Sequence, residues 1–215
     1  MNSRSLIVNA LTFSRLPLTF AWLALAFAGE LATGGWCRVS LASAALVALA
    51  LSGFSDLADG LLARRWRVVT PLGKMADPLM DKAVYVIVFP ALTYFAARGQ
   101  GPASHAVAIL AFTILYILRD LWVTFLRSVG AMYGADGAAM MLGKVRTALT
   151  FPVAAFIYAY IAFAPMCSAG LAAWWLGACW LCETAMILLN VYSFFAYTLS
   201  YAPFVKKALA QNNDL

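Results

Sequence analysis

Residues 56–81 read DLADGLLARRWRVVTPLGKMADPLMD, a polar stretch set between two apolar ones. Asp56 and Asp59 stand three apart, and Asp77 and Asp81 four apart, spacings that put each pair on one face of a helix. The flanking apolar segments, roughly residues 39–58 and 78–97, each reach the ~20 residues an α-helix needs to cross a hydrocarbon core. Two such helices joined by a short connection through Pro71 run antiparallel, so both acidic pairs arrive at similar depth on one side of the membrane. The stretch therefore predicts a membrane hairpin that gathers four carboxylates at one end.

Working outward, polar breaks divide the chain into six apolar stretches, near 16–28, 39–58, 78–97, 103–129, 145–164 and 171–201. The 215 residues are 64% hydrophobic and 11% charged, against about 25% charged in soluble domains, which excludes an ordinary water-soluble domain. The expected fold is an all-α integral membrane protein, one domain over residues 1–215, with six transmembrane helices. The first stretch is short for a crossing, so its helix should begin near Asn9. Its resemblance to a secretory leader is read as a first span and not as a removable segment. Asn9, Thr12 and Arg15 recur every third residue ahead of it, the pattern of a polar stripe on an interfacial amphipathic helix over residues 1–15, with Pro17 bending the exit. That stripe either faces headgroups or helps to bind a ligand.

The net charge of +6 does not form a nucleic-acid patch, because the basic residues are dispersed between apolar runs. They sort instead by membrane side. With the N-terminus inside, thirteen of the fifteen Lys and Arg fall on the cytoplasmic side and only Arg38 and Arg98 outside, which places both termini and the acidic cluster at the cytoplasmic face of a cell membrane.

Four carboxylates at an apolar boundary repel one another, and each costs about 2.5–3.5 kcal/mol at the centre of an inserted helix, less near its end. Something positive must sit among them. Hard oxygen donors suit Mg²⁺ or Mn²⁺, and four can hold two such ions while leaving coordination positions for a diphosphate. Gly60 and Ala63 continue the face of Asp56, where their small size would admit either a flat ligand or a neighbouring helix. Arg64 offers a fork of donors to phosphate, and Gly73 a second close backbone approach.

The window satisfies DxxDGxxARx8Gx3Dx3D at all eight fixed positions: Asp56, Asp59, Gly60, Ala63, Arg64, Gly73, Asp77 and Asp81. In this it resembles the CDP-alcohol phosphotransferases, six-helix membrane enzymes that are usually homodimers. The resemblance implies that Asp56, Asp59, Asp77 and Asp81 bind two divalent ions, Mg²⁺ or Mn²⁺. It further implies that Asp81 is also the catalytic base, and that Asp56, Asp59, Gly60, Ala63, Arg64 and Gly73, with Asn9 and Thr12 from the N-terminal stripe, contact CDP.

A second region, RDLWVTFLR from Arg119 to Arg127 followed by GKVRT at 143–147, supplies a cationic wall at the same membrane side. Arg119, Arg127, Lys144 and Arg146 would hold an anionic acceptor, which favours a phosphate-bearing alcohol over serine or choline. Here the chain is similar to the family's bacterial phosphatidylglycerophosphate synthases, with Asp120 where Glu is usual and Arg146 where Lys is usual. The resemblance implies CDP-diacylglycerol as donor and glycerol 3-phosphate as acceptor. Inositol phosphate, another polyol phosphate or serine are the alternatives within the family, and a divalent-metal transporter is the rival outside it.

The remaining conspicuous residues receive structural readings. His105 is expected at the surface of the outer side. Glu183 is expected to make a structural hydrogen bond, and the four cysteines to be buried thiols.

Overall fold

The computed structural model describes residues 3–68, 71–135 and 141–210, and within them the side chains of all but 71–72, 74–75 and 141–144. The described residues form six long helices, α1 (Ser3–Leu31), α2 (Gly35–Trp66), α3 (Pro71–Arg98), α4 (Ala103–Met132), α5 (Met141–Phe163) and α6 (Ala169–Ala210), with a short 3₁₀ turn at Ala164–Met166. Each of the six is long and apolar enough to cross a membrane. Large apolar side chains such as Phe54, Leu121, Leu188 and Leu199 lie exposed on the outside of the bundle, as the absence of water in a bilayer permits.

The expected interfacial helix is not a separate element. α1 runs unbroken from Ser3 to Leu31 through Pro17. Its buried residues, Ser5, Val8, Thr12, Arg15, Thr19, Trp22, Ala26 and Gly29, alternate steps of three and four, which keeps one seam facing its neighbours along the whole helix. The polar stripe thus turns inward, because Arg15 and Thr12 find carboxylates there.

α2 answers with small residues, Ala42, Ala45, Ala48, Ser52 and Ser55. Lipid is as apolar as leucine, so helices in a membrane associate through close packing and not through burial from water; small side chains make that approach possible. Sequence order suggests that α2 and α3 form a packed hairpin, but α1 packs against both, and among the described residues these two do not pack against each other. α3 continues against α4 and α5, α4 against α6, and α5 against α2 and α6. An aromatic spine fills the centre: Trp22 meets Tyr158 with ring centroids 5.5 Å apart, and Phe89 meets Phe112 at 4.8 Å.

At 42 residues α6 is about 63 Å long at ~1.5 Å per residue, twice the hydrocarbon thickness, so it tilts or extends beyond the bilayer. His105 differs from expectation: it is 1% exposed, and its Nε2 lies 2.8 Å from Glu183 Oε1, because α4 and α6 press together there and each polar group needs the other. Glu183 makes the structural hydrogen bond expected of it. Of the cysteines only Cys179 is buried; Cys37 is exposed in the first turn of α2, and Cys167 and Cys182 are half-buried.

Candidate active site

α2 delivers Asp56 and Asp59 one helical turn apart near its C-terminal end. It stops with Arg67 in a left-handed conformation at φ 54°, while the Val68 N–H donates back to the Ala63 carbonyl at 3.0 Å. Asp77 and Asp81 come from α3. Between α2 and α3 stands α1. The Arg15 guanidinium is 2% exposed and touches all four carboxylates: Nη2 lies 2.5 Å from Asp56, 2.6 Å from Asp59 and 2.8 Å from Asp77, and Nη1 lies 2.8 Å from Asp81. The Thr12 hydroxyl adds a hydrogen bond to Asp59 at 2.6 Å. Asn9 lies half-buried one turn earlier on α1.

Oxygen atoms from Asp56, Asp59 and Asp77 lie within 4.8 Å of one another. Two ligands of one small divalent ion, at ~2.1 Å each, stand at most ~4.2 Å apart, so a small inward shift of these side chains would let the three share an ion. Four carboxylates against one guanidinium also leave three negative charges uncompensated if all are ionised. Donor type, spacing and charge therefore all fit divalent cations.

Gly60 and Ala63 are half-buried on α2 beyond Asp59, and Arg64 is exposed. A side chain added at Gly60 would meet only Arg64 Nη2, at 3.8 Å, so open space adjoins the backbone there. Gly73 is half-buried in the first turns of α3.

Two cavities flank the cage. The first, about 330 Å³, is walled by Arg15, Asp56 and Asp81 at its polar end and by Val84, Phe151 and Pro152 further in, and it reaches Phe54 and Leu57 on the lipid-facing surface. The second, about 180 Å³, is lined by Lys82, Arg119, Arg127 and Arg146 together with Asp120. Asp81, Tyr85 and Thr147 stand in the wall of both.

The arginines of the second cavity are held from behind. Arg146, 3% exposed, donates to Asn190 Oδ1 at 2.8 Å and to Asp120 Oδ1 at 3.1 Å, with its guanidinium carbon 4.2 Å from the Tyr116 ring centroid. Arg119 donates to the Ser193 hydroxyl and lies 5.1 Å from the Tyr197 ring centroid. Asp120 also faces Arg119 at 3.6 Å and Lys82 at 3.4 Å. The buried Nε of both Arg119 and Arg146 lacks a protein acceptor, a donor surplus suited to an anion. Lys144 belongs to α5, but its side chain lies outside the described residues.

Sequence reasoning missed Arg15 as the partner of the carboxylates, Lys82 as part of the cationic cavity, and Asn190, Ser193 and Tyr197 of α6 as its backing. The last three recur at steps of three and four within an apolar stretch, a signal that was available.

A bundle of six membrane-length helices with an acidic cage between a lipid-facing and a cationic cavity has the build of a membrane enzyme that joins a lipid to a polar partner. The CDP-alcohol phosphatidyltransferase profile matches residues 5–183, and the chain belongs to that family. Relatives include the cardiolipin synthase (CMP-forming) of Streptomyces coelicolor, 41% identical over 93 residues, covering 41% of this chain and 39% of that one. The CDP-diacylglycerol–glycerol-3-phosphate 3-phosphatidyltransferase of Bacillus subtilis is 31% identical over 143 residues, covering 65% of this chain and 69% of that one. The protein of the same name from Cereibacter sphaeroides is 35% identical over 101 residues, 47% of this chain and 41% of that one.

Proposed function

We propose that the chain transfers the phosphatidyl group of CDP-diacylglycerol to glycerol 3-phosphate, giving phosphatidylglycerol phosphate and CMP. The observation that carries this reading is the position of Asp81 in the wall shared by the two cavities. The lipid-facing cavity suits a donor whose acyl chains stay in the bilayer. The second cavity suits a phosphorylated alcohol: its four cations stand against Asp81 and Asp120, a surplus of two charges that matches a phosphate dianion.

Asp81 accepts the proton of the acceptor hydroxyl as the oxygen attacks the phosphorus bearing diacylglycerol, and the bond from that phosphorus to CMP breaks. Asp56, Asp59, Asp77 and Asp81 would hold two divalent cations, Mg²⁺ or Mn²⁺, which when bound neutralise the diphosphate and stabilise departing CMP. Asn9, Thr12, Gly60, Ala63, Arg64 and Gly73 line the approach for the nucleotide, and Arg119, Arg127, Lys144 and Arg146 orient the acceptor. Orientation within a dry pocket supplies much of the acceleration for so weak a nucleophile.

The protein works as one membrane domain, in the cell membrane with both termini and the cage on the cytoplasmic side. Arg15, Arg119 and Arg146 are buried in the site, yet ten of the thirteen inward basic residues remain to support that orientation. By resemblance to the family it is a homodimer. Several relatives carry the glycerol-3-phosphate name, whereas the S. coelicolor relative is named a cardiolipin synthase (CMP-forming). A lipid phosphodiester such as phosphatidylglycerol carries a single charge and would match the cationic surplus less well. The test is CMP release from CDP-diacylglycerol with glycerol 3-phosphate, phosphatidylglycerol, inositol phosphate or serine offered in turn. Faster release with any acceptor other than glycerol 3-phosphate defeats the assignment.

A further inference from the structure

Phosphatidyl transfer as described leaves Arg15, the residue at the centre of the cage, without a role. Its Nη2 sits 2.5–2.8 Å from oxygens of three aspartates that themselves lie within 4.8 Å of one another, so it fills the space a ligated cation would need. Both cannot be there. We propose that Arg15 is the chain's own occupant of the metal position, and that divalent cations enter by exchange. The guanidinium then leaves the cage for the adjoining 330 Å³ cavity, where it takes the diphosphate of the nucleotide-linked lipid. This rests on the phosphatidyl-transfer reading and extends it to how the site is loaded.

Three further features carry the exchange. Arg15 itself lines that cavity, so its side chain has somewhere to go. Its backbone is pinned, since the Arg15 carbonyl accepts hydrogen bonds from Thr19 at 2.7 Å and Ser52 at 3.2 Å, which leaves the side chain as the moving part. Its Nε is buried with no acceptor in the cage, a donor that a phosphate oxygen would satisfy. Before exchange, the guanidinium ties α2 to α3 through α1 and relieves the repulsion among four acids. After it, the charges rebalance: the metals face the aspartates, and Arg15 with Arg64 faces the two negative charges of the diphosphate.

The test compares the full-length protein with Arg15→Gln and Arg15→Lys, all purified in detergent with Mg²⁺ and then stripped with chelator. Mn²⁺ binding is followed by electron paramagnetic resonance and thermal unfolding by circular dichroism. Losing the internal competitor should tighten Mn²⁺ binding to Arg15→Gln by about tenfold or more, while its metal-free form melts well below the wild type and regains the difference with Mg²⁺. Arg15→Lys should fall between the two. Unchanged or weaker Mn²⁺ binding in Arg15→Gln overturns the exchange and leaves the phosphatidyl-transfer reading standing, whereas a wild type that binds no Mn²⁺ removes both. If Arg15→Gln does not fold, the wild type decides through its arginine side-chain nuclear magnetic resonance signals. The one lost in Arg15→Lys should be rigid without metal and shift on adding Mg²⁺, and an unmoved signal refutes the exchange.

Discussion

Replacing Arg119 by Met keeps an unbranched apolar stem, though a shorter one, and removes the charge. The second cavity then holds three cations against two carboxylates, so its surplus falls from two charges to one. A hydrogen bond to a charged group contributes about 1.5–3 kcal/mol, and losing one to the acceptor phosphate lowers kcat/KM for glycerol 3-phosphate about 10- to 150-fold. Glycerol, without the phosphate, should be used no worse than before, so discrimination between the two shrinks by the same factor. Folding should survive. Asp120 keeps Arg146 at 3.1 Å and Lys82 at 3.4 Å, and the main loss is the Ser193 hydroxyl's partner, about 1–3 kcal/mol. The assay is initial-rate CMP release at varied acceptor in mixed micelles, with a thermal melt alongside. An equal fall with both acceptors, or none with glycerol 3-phosphate, would refute the role given to this cavity.

Asp81→Asn keeps the shape that meets Arg15 but loses the proton acceptor, so turnover should fall about 10²- to 10⁴-fold while CDP still binds, as competition by CDP analogues would report. Gly53 borders the lipid-facing cavity, and a Cβ there would come within 2.2 Å of the Phe151 ring. Gly53→Ala should therefore push that ring into the cavity, raise KM for CDP-diacylglycerol several-fold and cost about 1–3 kcal/mol in unfolding measurements. His105→Leu strands Glu183, 1% exposed with Oε2 already unpartnered, and should destabilise by about 1–3 kcal/mol without changing KM for either substrate. Adding Glu183→Met should recover part of that loss; a double variant less stable than the single would show that the pair is not the cause.

Element count and the acidic cluster were legible because each has a local signature: apolar length for the spans, and steps of three and four for Asp56, Asp59, Asp77 and Asp81. Partnership between distant helices has none. Arg15 shows this well. Its spacing with Asn9 and Thr12 revealed a polar face, but only the wedging of α1 between α2 and α3 turns that face onto the carboxylates. His105 failed for the same reason: a histidine near a helix end reads as exposed until Glu183, 78 positions away, is seen beside it. Asp120 was noticed as a departure within a familiar pattern, yet its hold on Lys82, Arg119 and Arg146 depends on the packing of α3, α4 and α5, which periodicity cannot supply.

The wall that Asp81 shares between the cavities has a consequence for traffic. Under the proposed transfer, a lipid entering past Phe54 and Leu57 and a metabolite entering past Arg127 would meet without either crossing the other's phase. Transfer can then be direct, with no covalent phosphatidyl intermediate parked on the protein. Under the proposed transfer, the new lipid would form with its acyl chains already among their neighbours and leave sideways into the leaflet, and only CMP would have to dissociate into water.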